Sequence, residues 1–262
     1  MSLSHFAELP IRPGHPSHIG FVPAARAVRN ASLSAGAVDS PRRGIGFESL
    51  LARTSAVRRR LRRGEYLYRA GDPFCSLFTI RAGSFKSVLL TEDGREQVTG
   101  FHLGGDVLGL DGIGLDVHAG DVVALEDSEV AEIPYAGLDL LAAEEPSVQQ
   151  ELFRLLSLEI QRERALMLLL GSMRAEERLA SFLIDLSQRM AARGFSASSF
   201  LLRMTREEIG SMLGLKLETV SRILSRFQAE GLISVRNREI EILSMSALRA
   251  VIGRLEARRQ PA

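Results

Sequence analysis

The chain has 262 residues, with a 45% apolar and a 25% charged share, which suits one large domain or two modest ones. Its single cysteine, Cys75, excludes an internal disulfide and any site that needs several thiolates, and no run approaches the ~18 apolar residues of a membrane span. Thirty-three basic residues against 32 acidic give a formal charge of +1, so nucleic-acid binding would have to rest on local basic surface rather than on bulk charge.

Residues 1–45 mix Pro, Gly, Ser, Ala and His without a sustained apolar period, and a flexible arm is expected there. M-S-L-S-H-F-A-E-L-P has no basic start followed by an apolar run, so no secretory signal is expected and the cytoplasm is the default location. His15 and His18 are spaced like half of a helical metal site, but Pro16 lies between them and solvated side chains are the simpler reading. From 46 the texture changes. Y-L-Y, L-F-T-I-R, S-F-K-S-V-L-L, Q-V-T-G-F-H-L, D-V-V-A-L-E and S-E-V-A-E-I-P-Y alternate with glycines at about ten-residue spacing, the pattern of an antiparallel roll, sandwich or barrel.

From about 137 the pattern is helical. Pro146 with Ser147 suits a helix start, and neither proline nor glycine follows until Gly171. Phe153, Leu156, Ile160, Met167 and Leu170 fall on alternating three- and four-residue steps, a coiled-coil seam for a dimer interface. Glu163 occupies one step of that seam. Facing its symmetry mate it would weaken the pair; if the helix rolls slightly, it reaches water at the edge. Residues 173–262 hold about 15 basic and 10 acidic residues, so positive charge is concentrated in the C-terminal third. A hairpin, I-S-V-R-N-R-E-I-E-I, is expected there with Asn237 in its turn.

Within that third, Thr205 and Glu208 form a capping box that starts a short helix. Ile209 and Leu213 give it an apolar face, Gly210 allows a close crossing by a second helix, and Gly214 can end it in a left-handed turn. A second helix is expected from about Leu217 to Ala229, burying Val220, Ile223, Leu224 and Phe227. Its other face carries Glu218, Ser221, Arg222, Ser225 and Arg226. This is a helix-turn-helix whose second helix offers base-reading chemistry: arginine for guanine O6 and N7, glutamate for cytosine N4, serine near a thymine methyl. The bland alternative is a solvated face with a Glu218–Arg222 ion pair. No G-x-x-x-x-G-K-[ST], H-E-x-x-H or G-x-S-x-G is present, so an enzyme is not expected.

At these residues the sequence resembles the family of the cAMP receptor protein and the fumarate–nitrate reduction regulator, the second branch in particular. The resemblance covers about residues 55–250, through Y-R-A-G-D, F-T-I-R-A-G-S-F-K-S, E-Q-V-T-G-F-H-L-G-G-D-V-L-G, R-A-E-E-R-L-A-S-F-L and E-T-V-S-R. It implies an α+β architecture: a cyclic-nucleotide-binding-like β-roll over 46–143, a dimerisation helix over 144–172 and a winged helix-turn-helix over 173–262. It implies a homodimer that binds palindromic double-stranded promoter DNA and contacts RNA polymerase. Glu218, Ser221 and Arg222 resemble the set that reads TTGAT-type half-sites. Thr205, Lys216, Thr219 and Arg226, with the hairpin arginines Arg236 and Arg238, are expected on the phosphate backbone. The turn from Thr91 to Glu96 resembles an activating surface, or is simply an exposed turn.

The departures from the family concern the sensor. The iron–sulfur branch needs an N-terminal cysteine group and one cysteine in the roll; residues 1–45 have none and the roll position resembles Ala131. The cAMP pattern needs a glutamate after the roll glycine and a later Arg-Ser pair. Here Leu110 and Asp111 follow Gly109, and the later pair is Gly120 and Asp121, which would repel a phosphate. Neither cofactor is expected. Heme with His102 or His118 as axial ligand is an alternative, although a surface or hydrogen-bonded His102 is the simpler reading. Cys75 is expected to be packed at a strand start, with a redox thiol as the alternative.

Overall fold

In the computed structural model, which describes residues 56–253, the β-favouring runs form a roll of two four-stranded antiparallel sheets. The expected arm at 1–45, with His15 and His18, lies outside the described residues. The strands are β1 (Val57–Leu61), β2 (Tyr66–Tyr68), β3 (Ser76–Ala82), β4 (Ser84–Leu90), β5 (Glu96–Leu103), β6 (Val107–Leu108), β7 (Asp121–Ala124) and β8 (Ser128–Pro134). One sheet runs β1-β8-β3-β6 and the other β2-β7-β4-β5. Side-chain alternation buries Leu61, Leu67, Phe78, Ile80, Phe85, Val122 and Val130 in one cluster of the roll. Gly83 links β3 to β4 at φ 88°, and a Cβ there would lie 2.0 Å from Ser128 Oγ, so only glycine fits. Two strands of the roll escaped the sequence reading, as did β9 (Ser199–Leu201) beyond it. β6 has two residues, and β1 carries Arg58, Arg59 and Arg60 on a sheet edge, where exposed charge is tolerated.

Helix α1 (Tyr135–Glu144) leads into α2 (Pro146–Ser172), which starts at Pro146 as expected. Val148 and Leu152 of α2 pack with Leu77, Ile133 and Leu138 on the roll. The expected seam divides. Phe153, Ile160 and Met167 form an exposed stripe at seven-residue steps, 59%, 48% and 71% accessible, with Glu163 exposed beside it. Leu156 and Leu170 depart from it. Leu156 is half-buried in the wall of the roll cavity, and Leu170 packs on the C-terminal core. The Leu156–Leu170 edge of the helix faces the chain's own roll and C-terminal core, whereas the Phe153–Met167 edge faces away from them.

The C-terminal part comprises α3 (Ala175–Ala192), β9 (Ser199–Leu201), α4 (Arg206–Leu213), α5 (Leu217–Ala229), β10 (Ile233–Arg236), β11 (Glu239–Ile242) and α6 (Met245–Gly253). The expected hairpin is β10–β11 with Asn237 at φ 57°, widened to three strands by β9. This part shares a core with the roll: Val88, Val98, Phe101 and Leu103 join Leu179, Phe182 and Leu183 in one cluster. Beside it, the carboxylate of Asp106, 4% exposed, meets Arg162 of α2 at 3.1 Å, Arg189 of α3 at 2.8 Å and Arg193 just beyond α3 at 2.8 Å. Roll, long helix and C-terminal module therefore meet at one carboxylate. No described helix is long and apolar enough to cross a membrane.

Candidate nucleic-acid interface

The capping box forms as expected. Thr205 Oγ1 accepts the Glu208 amide at 3.1 Å, and Glu208 accepts the Thr205 amide at 2.6 Å. The same carboxylate takes Lys86 Nζ of β4 at 2.9 Å, so a roll residue holds the start of α4. Burial acts to raise the Glu208 pKa, but the Thr205 amide and Lys86 together hold it below its ordinary value. At the other end of α4, Ser211 Oγ accepts the Val98 amide of β5 at 2.9 Å.

Gly210 is needed for a closer reason than a helix crossing. A Cβ there would lie 2.5 Å from the Leu215 carbonyl oxygen, so the backbone of the turn itself passes over it. Gly214 ends α4 at φ 63° and ψ 40°. Helix α5 then buries Val220, Ile223, Leu224 and Phe227, the expected stripe. That burial turns Glu218 and Arg222 outward and leaves Ser221 half-exposed. Among the described residues neither Glu218 nor Arg222 has an ion-pair partner, so the Glu218–Arg222 pair of the bland reading does not form. Ser221 Oγ accepts a hydrogen bond from Arg206 Nη1 at 3.2 Å.

The expected backbone contacts sit in different settings. Lys216 is the exposed N-cap residue of α5, and Thr219 is half-buried in its first turn. Arg236 and Arg238 are exposed at the wing tip, where Arg238 also donates to the Arg203 carbonyl at 3.3 Å. Arg226 differs: its guanidinium is engaged by Glu176 of α3 and by Glu230, which ties α5 to α3. Arg206 and Lys86 were missed by the sequence reading. Arg206 is marked only by following the cap, and Lys86 lies in the other half of the chain.

Between the roll and α2 lies an open-sided cavity of about 360 Å³ lined by Tyr68, His102, Asp111, Asp121, Leu156 and Glu163 among others. Asp111 accepts the Ala119 amide at 2.8 Å and Asp121 the Ala70 amide at 2.8 Å, so both carboxylates belong to the wall. His102 is buried and hydrogen-bonded to Ser87 Oγ at 3.1 Å, and burial pushes its pKa down to about 4. The His118 ring stacks on Tyr68 at 3.6 Å. Ala131 is buried opposite Thr79. Cys75 corrects an expectation: it is exposed before β3, anchored by its carbonyl, which accepts the Tyr135 amide at 2.9 Å, and its thiol is not packed. The exposed turn at Thr91–Arg95 is closed by the Thr91 amide on the Arg95 carbonyl at 2.9 Å. Among the described residues no group of three His, Cys, Asp or Glu side chains is placed to hold a metal ion.

Comparison with known proteins agrees with both halves of this geometry. Residues 58–145 match the family model of the cyclic nucleotide-binding domain, and residues 177–251 match that of the Crp-like helix-turn-helix domain. The chain is 47% identical over 195 residues to the transcriptional activator protein Anr of Pseudomonas aeruginosa, covering 74% of this chain and 80% of that one. It is 47% identical over 193 residues to the fumarate and nitrate reduction regulatory protein of Escherichia coli, covering 74% and 77%. Among solved structures it resembles FixK2 from Bradyrhizobium japonicum, with a TM-score of 0.70 and 32% identity over 74% of this chain and 96% of that one.

Proposed function

The chain belongs to the Crp/Fnr family of DNA-binding transcription regulators, and from that premise we propose that it acts in the cytoplasm as a homodimer reading palindromic, TTGAT-type half-sites through Glu218, Ser221 and Arg222. As a transcription regulator it is not an enzyme. One observation carries the DNA reading: Glu218 and Arg222 stand one turn apart on the exposed face of α5 with no ion-pair partner among the described residues. The exposed stripe of Phe153, Ile160 and Met167 supports dimerisation through α2. The exposed turn from Thr91 supports a contact with RNA polymerase.

The sensor is proposed to work without an iron–sulfur cluster and without cAMP. A four-thiolate cluster does not fit a chain with one cysteine, and the buried Ala131 offers no ligand. A cyclic phosphate does not fit a cavity wall that carries Asp111 and Asp121. Heme is the less favoured reading, because His102 is buried with one ring nitrogen on Ser87 Oγ and the buried His118 ring is stacked on Tyr68. The exposed Cys75 supports one second reading, a thiol-redox response.

The test is binding of the full chain to a palindromic duplex and to single-base variants of it. Equal affinity for all sequences rejects the regulator reading. Anaerobically purified protein with featureless absorbance above the protein band supports the cofactor-free sensor. DNA affinity that changes on mild oxidation, and not in Cys75→Ser, moves the reading to the thiol.

A further inference from the structure

A side-chain hydrogen bond links the two helices of the DNA-binding motif at their exposed rim: Arg206, the first residue of α4, donates from Nη1 to Ser221 Oγ of α5 at 3.2 Å. A serine hydroxyl has one proton and two acceptor lone pairs, whereas a guanidinium can only donate. The contact therefore fills a lone pair and leaves the proton uncommitted. The usual outlet for a helical serine is the carbonyl four residues back, but Ser221 donates to nothing among the described residues.

We infer that Arg206 is a specificity-determining, positioning residue of the interface, acting through Ser221 to present that hydroxyl as a donor to the base edge. The inference rests on the DNA reading above. A cation against the oxygen polarises the O–H bond and strengthens it as a donor. It also repels the amino groups that cytosine and adenine present in the major groove. The base opposite Ser221 is then one that offers an acceptor, thymine O4 or guanine O6. Arg206 is itself well placed for this. The capping box fixes the residue before it, and Lys86 of the roll fixes Glu208 of that box. Its remaining N–H groups are free to meet a neighbouring phosphate, which would couple backbone register to base choice.

A double-mutant cycle on the full chain tests this. Wild type, Arg206→Ala, Ser221→Ala and the double variant are titrated against palindromes in which each base pair is varied in turn, and against one in which uracil replaces thymine. At the base pair where Ser221→Ala alters preference, wild type is expected to favour the acceptor-bearing base over cytosine by about 10-fold. Arg206→Ala should shrink that preference to the level of Ser221→Ala, and the double variant should shrink it no further. Preferences at the other base pairs should persist, and uracil should bind like thymine. Arg206→Ala weakening all four bases alike, additively with Ser221→Ala, makes Arg206 an ordinary phosphate contact and overturns the inference. Uracil losing as much as cytosine overturns it too, because the serine would then be reading the methyl group. A wild type indifferent to every base change rejects the DNA reading itself.

Discussion

Arg222 and the wing arginines carry the same charge in different settings, and DNA binding should separate them. Arg222 lies on the outer face of α5, one turn from Glu218, with no ion pair to give up among the described residues. A guanidinium there matches a guanine edge bidentately, so Arg222→Ala is expected to cost about 1–3 kcal/mol and relax choice at one base pair. Arg236→Ala and Arg238→Ala, at the wing tip, should weaken all sequences alike and flatten the plot of log affinity against log salt by about 0.9 per phosphate contact. Anisotropy titrations at several salt concentrations, on matched and mismatched duplexes, measure both effects. A uniform loss for Arg222→Ala would move it to the backbone. Arg226 belongs to neither class as it stands, because Glu176 and Glu230 already hold it.

Helix α2 shows how far a periodic pattern can be read. The three-and-four spacing located the helix and its exposed stripe of Phe153, Ile160 and Met167. It did not foresee that Leu170 would pack on the C-terminal core, because spacing along one helix carries no record of the elements that the fold brings against it. Glu163 stays exposed beside the stripe. Glu163→Leu should remove a repulsion across a two-fold axis and add apolar area, tightening the dimer by roughly 10-fold. Sedimentation equilibrium measures this, and equal dimer constants for the two proteins would show that Glu163 does not face its mate. The helix-turn-helix was legible almost residue by residue because cap, glycine turn and apolar stripe agree locally. The docking of α4 on the roll was not legible. Ser211 and Val98 are 113 residues apart in sequence, and no periodicity connects them. Edge strand β1 was hidden for another reason: its arginines need no buried face, so it lacks the apolar signal of a strand.

At the scale of the molecule, Asp106 joins parts that the sequence presents as separate. Burial alone would raise its pKa, but Arg189, Arg162 and Arg193 outweigh burial and hold the carboxyl far below its ordinary value. Asp106→Asn leaves three guanidiniums facing a neutral amide, and breaking a buried pair in this way costs about 3–5 kcal/mol. Because those arginines come from α2 and from the C-terminal module, the loss should fall on the coupling between roll and module. Calorimetry is expected to show unfolding split into two steps in the variant, and an unchanged single transition would refute the coupling. Two titrating neighbours of this cluster give it a pH signature. Burial pushes His102 down to about 4 from 6.5, partly offset by Asp106. Between those values the unfolded chain binds a proton that the folded chain refuses, so this group makes stability fall as pH falls. Burial also pushes Asp185 up to about 6 from 3.8, partly offset by Arg189. Between those values the folded chain keeps a proton that the unfolded chain has lost, so the stability from this group is present at acid pH and is lost as pH rises through about 6. The two effects oppose each other over nearly the same window, and the wild type should respond weakly to pH there. Asp185→Asn removes the second effect, so the variant should lose stability toward acid more steeply than the wild type. His102→Gln removes the first, and its stability should rise toward acid instead. Urea midpoints across this window measure the three slopes, and parallel slopes would mean that His102 and Asp185 do not titrate differently in the folded and unfolded chains.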